Sequence, residues 1–151
     1  MGASGWNYVT AYDGDVKAAV VALKARVFEE EYGDGDSYGS LAELYEDEEF
    51  MGTEGTHTVL DIPRTVLTAD ADQDGALRPL AADRVTHHFG TDLPTVQRYA
   101  ELVAAANDAM SHQAYEQSLL GECEERWTGC YVVLHTEGVP THLGVFGVSG
   151  D

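Results

Sequence analysis

The chain is predicted to form one α+β domain spanning residues 1–151, a single mostly antiparallel sheet with about four helices packed on it. Three observations point that way. Near the C-terminus two β-rich runs, Tyr131–Thr136 and Thr141–Ser149, flank Glu137-Gly138-Val139-Pro140 in a hairpin pattern. Val16, Val20, Leu23 and Val27 recur at helical spacing and form one apolar stripe. A length of 151 residues with 44% apolar composition suits one domain with a real core.

From the N-terminus, Trp6–Tyr12 alternates aromatic and polar residues and reads as a strand. Asp13-Gly14-Asp15 supplies a turn and an N-cap for a helix running from Val16 to about Glu31. Gly33, Gly35 and Gly39 mark a loop. Ser40-Leu41-Ala42-Glu43 is a capping-box pattern that opens one short acidic helix reaching about Phe50. Thr56–Leu60 is β-branched and alternating, the mark of a strand that Val66–Thr68 would continue past Pro63. His57 and Asp61 would then lie about 13 Å apart along it. The stretch 69–79 reads as a polar loop and Leu80–Phe89 as a helix stopped by Gly90. Thr91 or Asp92 would cap a longer helix with Val96, Tyr99, Val103, Ala106 and Met110 on one face. In the terminal hairpin, Gly138 fits the first central position of a type II′ turn. That register sets Thr136 opposite Thr141, His135 opposite His142 and Val132 opposite Val145.

Charge is the chain's anomaly. Twenty-seven acidic against eight basic residues give −19, which opposes direct contact with nucleic acid or an anionic membrane surface. No apolar run is long enough to span a membrane, the N-terminus lacks the basic and apolar regions of a signal peptide, and two cysteines make no disulfide scaffold. A cytoplasmic protein is the expectation.

The acid is concentrated. Eleven carboxylates lie between Glu29 and Glu54 with no lysine or arginine among them, interleaved with aromatic rings. Glu43, Glu46, Asp47, Glu48 and Glu49 would provide a field that steers a basic protein, and Tyr38, Tyr45 and Phe50 would anchor it. The reading is a non-enzymatic binding protein that masks a basic partner, as an immunity-type protein or a nucleic-acid mimic does. A solvated acidic face, or adaptation to high salt, would produce the same composition.

Two other readings stay open. Asp70, Asp72 and Asp74, followed by Gly75, match the first half of a calcium loop, but Ala81 stands where a bidentate carboxylate is required, so any calcium site would be weak and no other cofactor is expected. An enzyme would draw on His57, His87 or His88. His87-His88-Phe89-Gly90-Thr91-Asp92 resembles the His-His-x-x-x-Asp motif of the chloramphenicol acetyltransferase and condensation-domain acyltransferases, in which the second histidine is the general base and the aspartate is structural. The glycine that usually follows is replaced by Leu93 and Pro94, and the chain is short for either family. Cys123, Cys130, His135 and His142 are zinc-type residues without zinc spacing, and His135 and His142 would meet only as a cross-strand pair.

Trp6-Asn7-Tyr8, Val27-Phe28, Gly55-Thr56-His57-Thr58-Val59-Leu60-Asp61 and Phe146-Gly147-Val148-Ser149-Gly150-Asp151 together resemble small acidic proteins of high-GC actinobacteria. No activity is assigned to those proteins, so the resemblance transfers no functional residue.

Overall fold

A computed structural model of the chain describes residues 5–33, 38–53, 55–69, 75–123 and 125–150. One five-stranded sheet organises it, in the order β1 (Gly5–Ala11), β5 (Val139–Val148), β4 (Thr128–Thr136), β3 (Ala76–Pro79), β2 (Arg64–Thr65). The three long strands pair antiparallel, whereas β4–β3 and β3–β2 pair parallel, so the α+β sheet is mixed. A parallel β3–β4 pair needs a crossover, and residues 80–127 supply it.

Six helices are found among the described residues: α1 (Val16–Tyr32), α2 (Leu41–Glu46), α3 (Glu48–Thr53), α4 (Ala82–Phe89), α5 (Val96–Asn107) and α6 (His112–Glu116). They cover both faces of the sheet, because successive strand residues point to opposite sides. Tyr131, Leu143 and Val145 join Val20, Leu23 and Val27 of α1 and Leu44 of α2 in one core. Cys130, Val132, Leu134 and Phe146 join Phe89 of α4 and Tyr99, Val103 and Ala106 of α5 in the other.

α1 begins as the stripe and Asp15 require, with the Asp15 carboxylate accepting from Ala18 N at 3.0 Å. The single acidic helix expected to reach Phe50 is instead two. Asp47 interrupts it, and its carboxylate accepts from Phe50 N at 3.1 Å, restarting the chain as α3. α5 is capped by Thr95, not Thr91 or Asp92, through a 3.1 Å bond from Arg98 N. It ends at Asn107, so Met110 lies past its end, 97% exposed.

The strand expected at 56–60 does not form. Asp61 accepts from the backbone N–H groups of Thr56 and His57 and folds the segment back on itself into a 3-10 turn, Val59–Asp61. Local capping wins over β propensity here. The continuation expected at 66–68 is replaced by the two-residue β2 just after Pro63. Conversely, Ala76–Pro79, expected within a loop, is the strand β3, with Ala76 and Leu77 fully buried.

The terminal hairpin forms in a different register. Both Glu137 (φ 52°) and Gly138 (φ 80°) are left-handed, which is the type I′ pattern and not II′. Thr136 therefore faces Val139 and His135 faces Pro140. An irregularity at Leu134/His135 then sets His142 opposite Leu134 and Val132 opposite Gly144. The His135–His142 pair is not made. His135 is instead tied to Pro94 O by its backbone N–H (2.7 Å) and ring Nδ1 (3.1 Å).

Candidate binding site: an acidic surface beside an aromatic pocket

Serine and glutamate of the capping box hold α2 in place. Glu43 N donates to Ser40 Oγ (3.2 Å), and the Glu43 carboxylate reaches back to Gly39 N (2.7 Å). Asp47 is also structural, since Tyr38 Oη donates to its second oxygen at 2.8 Å. The bond from Phe50 N, seconded by Tyr38, holds the Asp47 carboxyl below its ordinary range. Glu46, Glu48 and Glu49 do none of this. They are exposed, and none forms an ion pair with a described residue.

The expected aromatic anchors are engaged within the fold. The Tyr38 ring meets Tyr32 edge-on at 5.8 Å and Phe50 at 6.2 Å, and Phe50 is half-buried against the α1 core. Tyr45 Oη donates to Leu60 O at 2.6 Å; burial, with Asp61 nearby, pushes its pKa up to about 12. The rings build the platform that displays the carboxylates.

Three further acids, Glu29, Glu30 and Glu31, are exposed on the last turns of α1. This is the negative end of the helix dipole, and no basic residue in its last turn offsets them. The placement costs local stability.

Beside α3 lies an open pocket of about 430 Å³ with mostly apolar walls. Tyr45, Met51 and Gly52 line it from α2 and α3, Asp61 and Pro63 from the following turn, and Gly75 and Trp127 from the sheet side. Asp61 is only 4% exposed, yet its carboxylate has no cation partner among the described residues. It accepts three bonds, from Thr56 N (2.7 Å), Thr56 Oγ1 (2.9 Å) and His57 N (2.9 Å). Backbone strain gathers here. Among the described residues three non-glycines have positive φ, and one of these, Glu137, serves the hairpin turn. The other two are His57 (59°), bonded to Asp61, and Trp127 (64°), a wall of the pocket. Trp127 is held in that state from both sides: its N–H donates to Val148 O (3.0 Å) and its carbonyl accepts from Gly75 N (3.2 Å). His57 and Asp61, expected 13 Å apart, are thus directly bonded.

The remaining sequence candidates lie elsewhere. His88 Nε2 sits 2.7 Å from Glu122 Oε2, the oxygen that Arg84 also holds at 2.6 Å, so its partner is Glu122 and not Asp92. Burial raises the Glu122 carboxyl, but the bonds from Arg84 and His88 outweigh it and leave the group below its ordinary range. Asp70, Asp72 and Asp74 of the calcium reading lie outside the described residues. Among the described residues no group of three or more His, Cys, Asp or Glu is placed to hold a metal ion, and no helix is long and apolar enough to cross a membrane.

Cys123 and Cys130 are free thiols buried together in the second core. Arg78 Nη1 donates to Cys130 Sγ at 2.7 Å, and Cys123 Sγ lies 3.1 Å from Thr128 Oγ1. The hydrogen bond to Cys123, together with burial, pushes the Cys130 thiol up despite Arg78. Both thiols are expected to react with an aromatic disulfide reagent at least about 100-fold more slowly in the native protein than in denaturant, since reaction requires opening of the core. Rapid native reaction at Cys123 would show that the 119–128 segment opens independently.

Comparison of the chain with protein-family models, with curated proteins and with solved structures gave no match. The site itself therefore defines the class: an exposed acidic surface bordering an apolar pocket that contains a buried carboxylate.

Proposed function

We propose that this protein is a non-enzymatic acidic binding protein that masks a basic protein partner, in the manner of an immunity protein or a nucleic-acid mimic. One observation carries the reading. Carboxylates are crowded and exposed on α1–α3 and form no ion pair with a described residue, including three at a helix end where they oppose the dipole. Eleven of the chain's twenty-seven acids fall in residues 29–54, about a sixth of its length. Adaptation to salt would spread them over the surface. A concentrated negative field raises the rate of encounter with a basic surface, whereas the long-lived contacts must come from short-range packing.

The test separates those two contributions. The partner is captured from source lysate at low salt, purified, and its binding kinetics are measured against the Glu46→Lys/Glu48→Lys/Glu49→Lys variant. Asp47 is left intact because it caps α3 and holds Tyr38. The association rate should fall about 10- to 1000-fold with dissociation little changed. An unchanged association rate in a folded variant would refute the masking role.

A further inference from the structure

We infer that the pocket beside α3 receives a lysine or arginine side chain of the basic partner, its hydrocarbon stem against Met51, Pro63 and Trp127 and its charge at Asp61. The inference rests on the masking role proposed above and gives it a short-range anchor. Four observations converge on it. Asp61 is nearly fully buried and hydrogen-bonded, but no described cation neutralises it, and a buried carboxylate gains most from a cation brought to it in a desolvated setting. The walls include two aromatic rings, Tyr45 and Trp127, whose π faces attract cations. A volume of about 430 Å³ admits a long side chain, and apolar walls suit the methylene stem of lysine or arginine. Strained backbone at His57 and Trp127 holds the carboxylate and the indole in place before any partner arrives. The acidic helices that steer the partner also form one side of the pocket, so field and anchor share a surface.

Three probes decide the matter: the N-acetyl methylamides of lysine, arginine and norleucine, the last being the uncharged counterpart of lysine. Each is titrated while the indole N–H resonance of Trp127 is followed. The two cationic probes should shift it saturably, at least 5-fold more tightly than norleucine. Asp61→Asn should weaken the cations at least 10-fold and leave norleucine unchanged. Because that variant disturbs three hydrogen bonds, Gly52→Phe serves as a second block. Gly52 lines the pocket and a Cβ added there would meet no atom within 4 Å, so a ring can be introduced at the wall without replacing any group in those bonds. It should abolish the shift. Equal binding of norleucine, or a Trp127 resonance unmoved while α2–α3 resonances shift, would overturn the inference. The two proposals fail separately. If Gly52→Phe binds the partner as tightly as the native chain while the triple reversal slows association, the pocket is not the anchor and masking stands. If the cationic probes bind as described but the reversal changes nothing, the pocket stands and masking falls.

Discussion

Replacing Gly147 by alanine is expected to destabilise the protein by about 3 kcal/mol, the largest effect of any single-methyl change proposed for this chain. The sign is the informative part. Glycine inside a strand is ordinarily a weakness, and alanine there should gain about 0.5–1 kcal/mol. In this sheet a Cβ on Gly147 would stand 2.5 Å from both Thr128 O and the Trp6 ring atom Cη2. Gly147 pairs with Trp6 on one side and with Gly129 on the other, and a Cβ on Gly129 would meet the same indole. The two glycines make the shelf on which Trp6 lies, and its indole N–H reaches Ser149 Oγ at 3.1 Å in a buried bond. An added methyl must push against backbone on one face and a large buried ring on the other, so neither yields cheaply. Urea denaturation gives the stability, and near-ultraviolet circular dichroism reports whether Trp6 has moved. A gain in stability would show that the indole is loosely seated.

That shelf illustrates how unevenly the fold can be read from sequence. α1 and the terminal hairpin were legible because each carries its own periodicity and its own cap or turn within one short window. Hairpin register was not. It depends on whether one or both of Glu137 and Gly138 turn left-handed, and sequence alone favours Gly138 only. The 56–60 segment misleads for a related reason: its β-branched residues suit a strand, but a single carboxylate at Asp61 captures two backbone N–H groups and closes a turn. β3 was invisible because four residues bounded by turn formers show no alternation, and its pairing with β4 spans about fifty residues. The candidate site divides the same way. Exposed carboxylates on α2–α3 follow directly from a charge run. The pocket draws Tyr45, Asp61 and Trp127 from three distant segments, so no local motif announces it. Asp61, three residues beyond Thr56-His57-Thr58, was its one available signal: a carboxylate spaced to cap the backbone N–H groups before it.

Lys24→Met should stabilise the protein by about 1–2 kcal/mol at neutral pH and flatten its stability profile on the alkaline side. Lys24 lies on α1 with 7% of its surface exposed, and its Nζ donates to Ile62 O. No described carboxylate pairs with it, and burial lowers its pKa to about 8 from an ordinary 10.5. Between those values the unfolded chain carries a proton that the folded chain does not, so stability rises with pH across that window. Below pH 8 the folded protein bears a constant cost of order 3 kcal/mol for holding the charge in the core. Methionine removes that cost and keeps most of the volume, but it leaves Ile62 O without its donor, a loss of about 1–2 kcal/mol. Tyr45 and Tyr131, each raised to about 12 by burial, act in the opposite direction. Their stabilising protonation is lost relative to the unfolded chain once pH passes about 10. The comparison therefore belongs at pH 7.5–9.5 (roughly the window below tyrosine ionisation), where the difference between native and variant curves isolates Lys24. Thermal unfolding should show Tm rising with pH in the native chain relative to Lys24→Met, the gap narrowing as pH climbs. A pH-independent gap would mean that Lys24 stays protonated in the folded and unfolded chains alike, so that burial does not shift its amine.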